Sequence, residues 1–384
     1  MAEIDDSRDW QTQQALTKIQ NDNPRERCNA IEQLGNLKTG LTEIQLATTD
    51  RNGYVRVAAA KALGNFPLED VALYLGDLLW DGNPFVRSAA IRSLGRVGAT
   101  SYVDHIMDSL SDRNPYIRAA VLRALGDLQA PEAAEALVMA LADPHRKVRL
   151  DAARGLRQLV EPETLPMMRQ VLDEAMRQSR LDLPFLNTLI QAIANCGIPE
   201  ETGPLLVRLL QETVGCRTVA ARALRTLRYE PARPALVRAL SDRNPNLRLA
   251  ALQGLSELGA GSSLPAIRKL LEDEDSRVQR VACQSLALAG DMNALPLLRE
   301  MAFSPNPFLR PRAIESMAII DPEGTRPILL QLLQDNNVAV RMAATEALEP
   351  YLDEPQVRQA LEQTQANEVT TRLRTRLTTL LSPQ

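Results

Sequence analysis

Asp81–Ala99 reads DGNPFVRSAAIRSLGRVGA, and Asp112–Ala130 reads DRNPYIRAAVLRALGDLQA, a repeat at a distance of 31 residues. Asp50–Leu68 (DRNGYVRVAAAKALGNFPL) and Asp242–Ala260 (DRNPNLRLAALQGLSELGA) carry the same pattern, D-x-N-P-x-V-R-x-A-A-x-x-A-L-G. The motif arginine recurs at Arg27, Arg56, Arg87, Arg118, Arg149, Arg217, Arg248, Arg310 and Arg341. Asn187 fills the slot between Arg149 and Arg217, Gln279 fills the slot between Arg248 and Arg310, and Arg372 falls where a last, degenerate copy is expected. Apart from Arg27 to Arg56 and the stretch from Arg149 to Arg217, the step is 31 residues, giving about twelve units over nearly the whole chain. Self-similarity at such a period is the signature of a repeat architecture.

The residues of one unit dictate its local structure. Asp and Asn suit a turn and an N-cap, and Pro fits the first helical turn. Apolar residues then follow at helical spacing, as in Val86, Ala89, Ala90 and Leu94, and Gly95 stops the helix. A second run such as SYVDHIMDSL supplies the first helix of the next pair. One helix pair cannot bury its apolar face alone, so neighbours must stack into an all-α solenoid.

Composition agrees. The chain has 384 residues, 45% apolar but only 3% aromatic, with 44 Lys+Arg against 48 Asp+Glu. Leu and Ala supply most of the apolar content, as in packed helices. A net charge of −4 argues against wholesale nucleic-acid binding. No apolar run is long enough to span a bilayer, and MAEIDDSRDWQTQQ is too acidic and polar for a signal peptide. Cys28, Cys196, Cys216 and Cys283 lack CxxC spacing and are expected to be reduced thiols of a cytoplasmic protein. Two isolated histidines, His105 and His145, do not make a metal site, so no metal is expected.

The repeated Asp–Pro–Val–Arg–Ala–Ala–Leu–Gly positions resemble the HEAT-repeat superfamily, and most closely the short variety named after phycobilisome lyases. The resemblance runs from about Asn21 to the C-terminus. It implies a right-handed α-solenoid in which the recurring Asp and Arg bridge adjacent repeats as scaffold, and in which the second helix of each pair lines a concave face. The expected organisation is a capping segment at 1–20, repeats over 21–158, an irregular longer repeat at 159–197, and further repeats with a cap over 198–384. Trp10, Leu16 and Ile19 are placed to cover the first repeat, and the amphipathic tail TRLRTRLTTLLSPQ to close the last. The longer unit runs roughly seven residues over the period and holds Met167, Met168 and Met176. Met at helical spacing usually fills core.

If the common positions build the solenoid, the informative positions are those that vary. Two residues before the motif Arg stand Tyr54, Phe85 and Tyr116, then Lys147. Five after it stand Lys61, Arg92, Arg123 and Arg154, and later Arg222. The two columns lie seven residues apart, two helical turns, and share a face. With helices about 8–10 Å apart, they make a strip of rings flanked by cations on the order of 30–40 Å long. Glu32, Glu315 and Glu346 take the basic column's place nearer the ends. Aromatic and Arg residues are favoured at binding hot spots, and Arg suits carboxylate or phosphate. The candidate partner-binding residues are therefore Tyr54, Lys61, Phe85, Arg92, Tyr116, Arg123 and Arg154.

No catalytic motif is present: no G-x-S-x-G, Walker loop, H-E-x-x-H or dinucleotide fingerprint. The expected function is a non-enzymatic scaffold, adaptor or chaperone that grips another protein, one with an acidic surface. The resemblance implies an alternative, a phycobilin lyase or lyase subunit acting on phycobiliproteins. In that case rings would stack on a linear tetrapyrrole bilin while Arg residues meet its propionates. Nucleic-acid binding ranks third, since the sequence pI of 5.5 and the acidic ends disfavour a long phosphate track.

Overall fold

The computed structural model describes residues 2–178, 181–212 and 215–382, with side chains from Arg8 onward. All regular structure among these residues is helical. The chain divides into two compact units, Met1–Ile198 and Pro199–Gln384.

In the first unit the motif helices are Pro24–Leu37, Gly53–Leu63, Pro84–Val97, Pro115–Asp127, Arg146–Leu159 and Leu183–Asn195. Successive members pack against one another. Shorter helices link them, among them Leu41–Leu46, Val103–Met107 and Ala134–Met139, and each of these three runs into a 3-10 turn just before the motif Asp. The longer repeat places its extra length in a linking α-helix of 12 residues, Leu165–Met176. Met168 is fully buried there, whereas Met167 is 44% exposed. The N-terminal helix Ala2–Lys18 packs on Pro24–Leu37 through buried Ala15, but Trp10 remains exposed rather than covering the first repeat.

The sequence explains where each motif helix begins. Asn52, Asn83 and Asn114 cap their helices by accepting from the backbone N–H of Tyr54, Phe85 and Tyr116 at 2.9 Å. His145 occupies the same place in the next unit and makes no side-chain cap. Close approach explains the small residues: a Cβ added to Gly126 would lie 2.5 Å from the Gly155 Cα of the neighbouring helix.

The Arg–Asp ladder is scaffold. Arg56 donates to Asp81 of the next repeat at 2.7 and 2.9 Å, while its Nη1 donates to the Asp50 carbonyl of its own repeat at 2.9 Å. Arg27–Asp50, Arg87–Asp112 and Arg118–Asp143 repeat the bridge. Each Asp also accepts from a backbone N–H two residues on, as Asp81 does from Asn83. One guanidinium fork thus serves two repeats, which Lys could not do. At the longer unit the partner shifts, and Asp182 receives Arg146 at 2.8 Å and Arg149 at 3.8 Å.

The second unit stacks the motif helices Arg217–Leu227, Pro245–Glu257, Ser276–Leu288, Arg310–Ile320, Val338–Leu348 and Thr371–Leu381. Its rungs are Arg217–Asp242, Arg248–Asp273, Arg310–Asp335 and Arg341–Glu368. Gln279 carries no charge, and the next motif Asp is also replaced, by Ser304, so the rung loses both members together. The last copy corrects the sequence reading. Arg374, not Arg372, donates to the Glu368 carbonyl six residues back, as the motif arginines do. That terminal helix buries Leu373 and Leu377, which closes the stack.

Candidate functional site

The varying columns of the first unit stand on helices whose buried faces are fixed by Val55, Val86 and Ile117, one residue past each ring. The rings therefore turn outward: Tyr54 is 75%, Phe85 62% and Tyr116 56% exposed. Such rings are not covering a turn; they present apolar surface to water, which a partner would remove.

Phe85, Arg92, Tyr116 and Arg123 converge on one open hollow of about 770 Å³, walled also by Ser88, Arg96, Lys147, Asp151 and Gln158. Lys61 lies on an adjoining hollow of about 420 Å³ that shares Arg92 and Arg96. Tyr54 and Arg154 line neither of these two. Arg222 is exposed but belongs to the second unit.

Ion pairing sorts the cations. Lys147 and Arg154 both meet Asp151 at 2.8 Å, and Arg123 sits 3.6 Å from Asp127. Arg92 donates instead to the Ser88 carbonyl and hydroxyl, both at 3.0 Å. Among the described residues, Lys61, Arg92 and Arg96 have no carboxylate in salt-bridge contact. Desolvation by the surrounding wall lowers the Arg92 pKa, the neighbouring Arg96 charge lowers it further, and Asp151 raises it in part. These three cations form an uncompensated positive cluster beside two exposed rings, the arrangement that attracts carboxylate or phosphate.

Several site residues escaped the sequence reading. Asp151 is 3% exposed in a column otherwise filled by Ala58, Ala89 and Ala120, and this break in a small-residue column was the available signal. Arg96 stands one turn past Arg92, and only neighbouring repeats lacking a cation there mark it. The Gln158 Oε1 is buried without a partner while its amide donates to Asp127 at 2.9 Å. His145 packs edge-on against Tyr116 with ring centroids 5.7 Å apart. In the second unit Phe308 occupies the ring column and is 85% exposed. No group of His, Cys, Asp or Glu among the described residues is arranged to hold a metal ion, and the four cysteines are free thiols. No helix there is long and apolar enough to cross a membrane.

The profile of HEAT repeats matches residues 43–112, 103–181, 204–277, 264–349 and 302–381, so the chain belongs to the HEAT-repeat family. Among solved structures, yeast importin-β (Kap95p) is similar at a TM-score of 0.63 and 12% identity, over 96% of this chain and 61% of that one. The karyopherin Kap121p, solved bound to the extreme C-terminus of the protein phosphatase Cdc14p, gives 0.52 and 16%, over 92% and 46%. The chain thus spans roughly half the length of these karyopherins. The complex of CpcE and CpcF of phycocyanin lyase from Nostoc sp. PCC7120 gives 0.39 and 23%, over 65% and 93%. No curated protein sequence matches the chain. The karyopherin likenesses establish the all-α solenoid fold, and fold alone does not assign an activity.

Proposed function

We propose that the chain is a non-enzymatic interaction protein whose first unit holds an acidic surface of another protein on the strip Tyr54, Lys61, Phe85, Arg92, Tyr116, Arg123 and Arg154, with Arg96 added. The observation that carries this reading is the positive cluster of Lys61, Arg92 and Arg96, none paired to a carboxylate among the described residues, next to exposed Phe85 and Tyr116. Exposed rings supply the buried anchor of an interface, and unpaired cations steer an anionic partner and fix its register. Arg123 and Arg154 are already paired and would contribute less. The test is a titration of labelled poly-glutamate against wild type and Arg92→Glu/Arg96→Glu, with folding checked by circular dichroism. Salt-sensitive binding by wild type, lost in the folded variant, supports the reading; equal behaviour of the two proteins overturns it.

A second reading is favoured by the size of the hollow, about 770 Å³, which lies within the range of small-molecule sites. Two exposed rings and neighbouring guanidinium groups suit a planar dicarboxylate, and a linear tetrapyrrole bilin has that chemistry. On this reading the protein is a bilin lyase or lyase subunit that positions its ligand against a phycobiliprotein. An absorption shift on mixing with bilin, absent in Arg92→Glu, would favour it over the first.

A further inference from the structure

The periodicity of the strip carries an inference about the shape of its occupant, which rests on the protein-partner reading above. Lys61, Arg92 and Arg123 stand at one repeat position, and Tyr54, Phe85 and Tyr116 at another, seven residues earlier on the same helices. Neighbouring helices lie about 8–10 Å apart, and the small residues hold these at the close end: a Cβ on Gly95 would lie 2.8 Å from the Ala124 Cα. The site therefore offers two parallel rows, one cationic and one aromatic, with a common repeat.

A partner segment that uses both rows must place equivalent side chains at that same repeat. An extended β-strand returns to one face every two residues, about 6.6 Å, which is too short. An α-helix returns after seven residues, about 10.5 Å, which is too long and drifts out of phase over three repeats. Polyproline II has three residues per turn and about 3.1 Å rise, so it returns every 9.3 Å or so. It also has three faces, so one row of side chains meets the cations, a second meets the rings, and the third faces solvent. Proline-rich segments of this kind are known to dock on aromatic-lined grooves, since they lose little entropy on binding.

We propose that the strip receives a polyproline-II segment of a partner protein with Asp or Glu at every third residue and Pro or another apolar residue beside each. Its carboxylates meet Lys61, Arg92 and Arg96, and the last of the row displaces Asp127 from its 3.6 Å contact with Arg123. The prolines lie across Tyr54, Phe85 and Tyr116, whose faces are open to solvent.

The test uses the full chain and fluorescein-labelled peptides read by anisotropy. One peptide of about fifteen residues repeats Glu-Pro-Pro. A second has the same composition with the glutamates unevenly spaced, a third carries Gln for Glu, and a fourth is helical with Glu every seventh residue. The expected result is binding of the first on the order of tenfold tighter than the second or fourth, and none of the third. Arg92→Glu/Arg96→Glu, folded by circular dichroism, should lose it. Equal binding of the first, second and fourth overturns the spacing inference and leaves the acidic-partner reading standing. No binding of any acidic peptide overturns both. Tighter binding of a single-stranded oligonucleotide, with the same loss in the variant, overturns both in favour of a phosphate ligand.

Discussion

Arg248 and Asp273, 25 residues apart, meet through two hydrogen bonds of 2.7 and 2.6 Å with both side chains almost wholly shielded from solvent. The same guanidinium donates to the Asp242 carbonyl at 2.8 Å, so one side chain ties its own turn to that of the next repeat. Removing one partner of such a pair leaves the other charge buried. Arg248→Ala should therefore destabilise the second unit by about 3 kcal/mol, and Arg248→Met/Asp273→Leu by less. Denaturant midpoints read with hydrogen exchange over Pro245–Glu257 check both. A larger loss in the double variant would contradict the scaffold role.

The ladder carboxylates make stability depend on acid. Arg341 hydrogen-bonds Glu368 and holds it at about 2, against an ordinary value of 4.5, and Arg56 likewise pulls Asp81 below its ordinary value. A carboxyl depressed in the folded state stabilises the fold above its unfolded pKa, and that contribution is lost as pH falls through the folded one. Stability should thus fall between about pH 4.5 and 2, and Arg341→Ala should shrink that fall. Denaturation midpoints measured across this window decide it; an unchanged acid slope in Arg341→Ala would contradict the assignment.

Gly126 is a packing residue. Its absent Cβ is what lets Pro115–Asp127 approach Gly155 so closely. Gly126→Ala should cost about 1–3 kcal/mol by overpacking, although alanine is the better helix former. A thermal or urea midpoint at or above wild type would show that the helices can separate freely.

Val160 ends helix Arg146–Leu159 in the left-handed region, at φ 56°. A β-branched residue is strained there, and Val160 is 41% exposed, so its side chain buries little. Val160→Gly should raise stability by about 0.5–1 kcal/mol, visible as a higher denaturation midpoint. A lower midpoint would mean that the strain is compensated elsewhere.

The fold was legible because period, cap and bridge are written in the same residues. Asn83 caps the helix, Asp81 receives Arg56, and Arg87 passes the bridge to Asp112. Legibility failed where spacing changed: between Arg341 and Arg374 the interval is two residues longer than the period, so counting landed on Arg372. The site was legible only in part. Column position identified Phe85, Arg92, Tyr116 and Arg123, which line one hollow. It could not tell that Arg154 is held by Asp151, or that Arg96 is unpaired, because pairing depends on side-chain reach across helices.

The most direct test of an acidic partner on this strip uses the scarcity of lysine in the chain. Only Lys18, Lys38, Lys61, Lys147 and Lys269 are present. A carbodiimide joins a carboxylate to a lysine amine only at contact, with no spacer. Lys147 already touches Asp151 at 2.8 Å and should link internally, whereas Lys61 has no such neighbour among the described residues. Carbodiimide treatment of the complex captured from a lysate of the source organism, followed by mass spectrometry, reads the contact. The predicted result is an amide between Lys61 and an Asp or Glu of the partner, lost in Arg92→Glu/Arg96→Glu. Links confined to Lys18, Lys38 or Lys269 would contradict it.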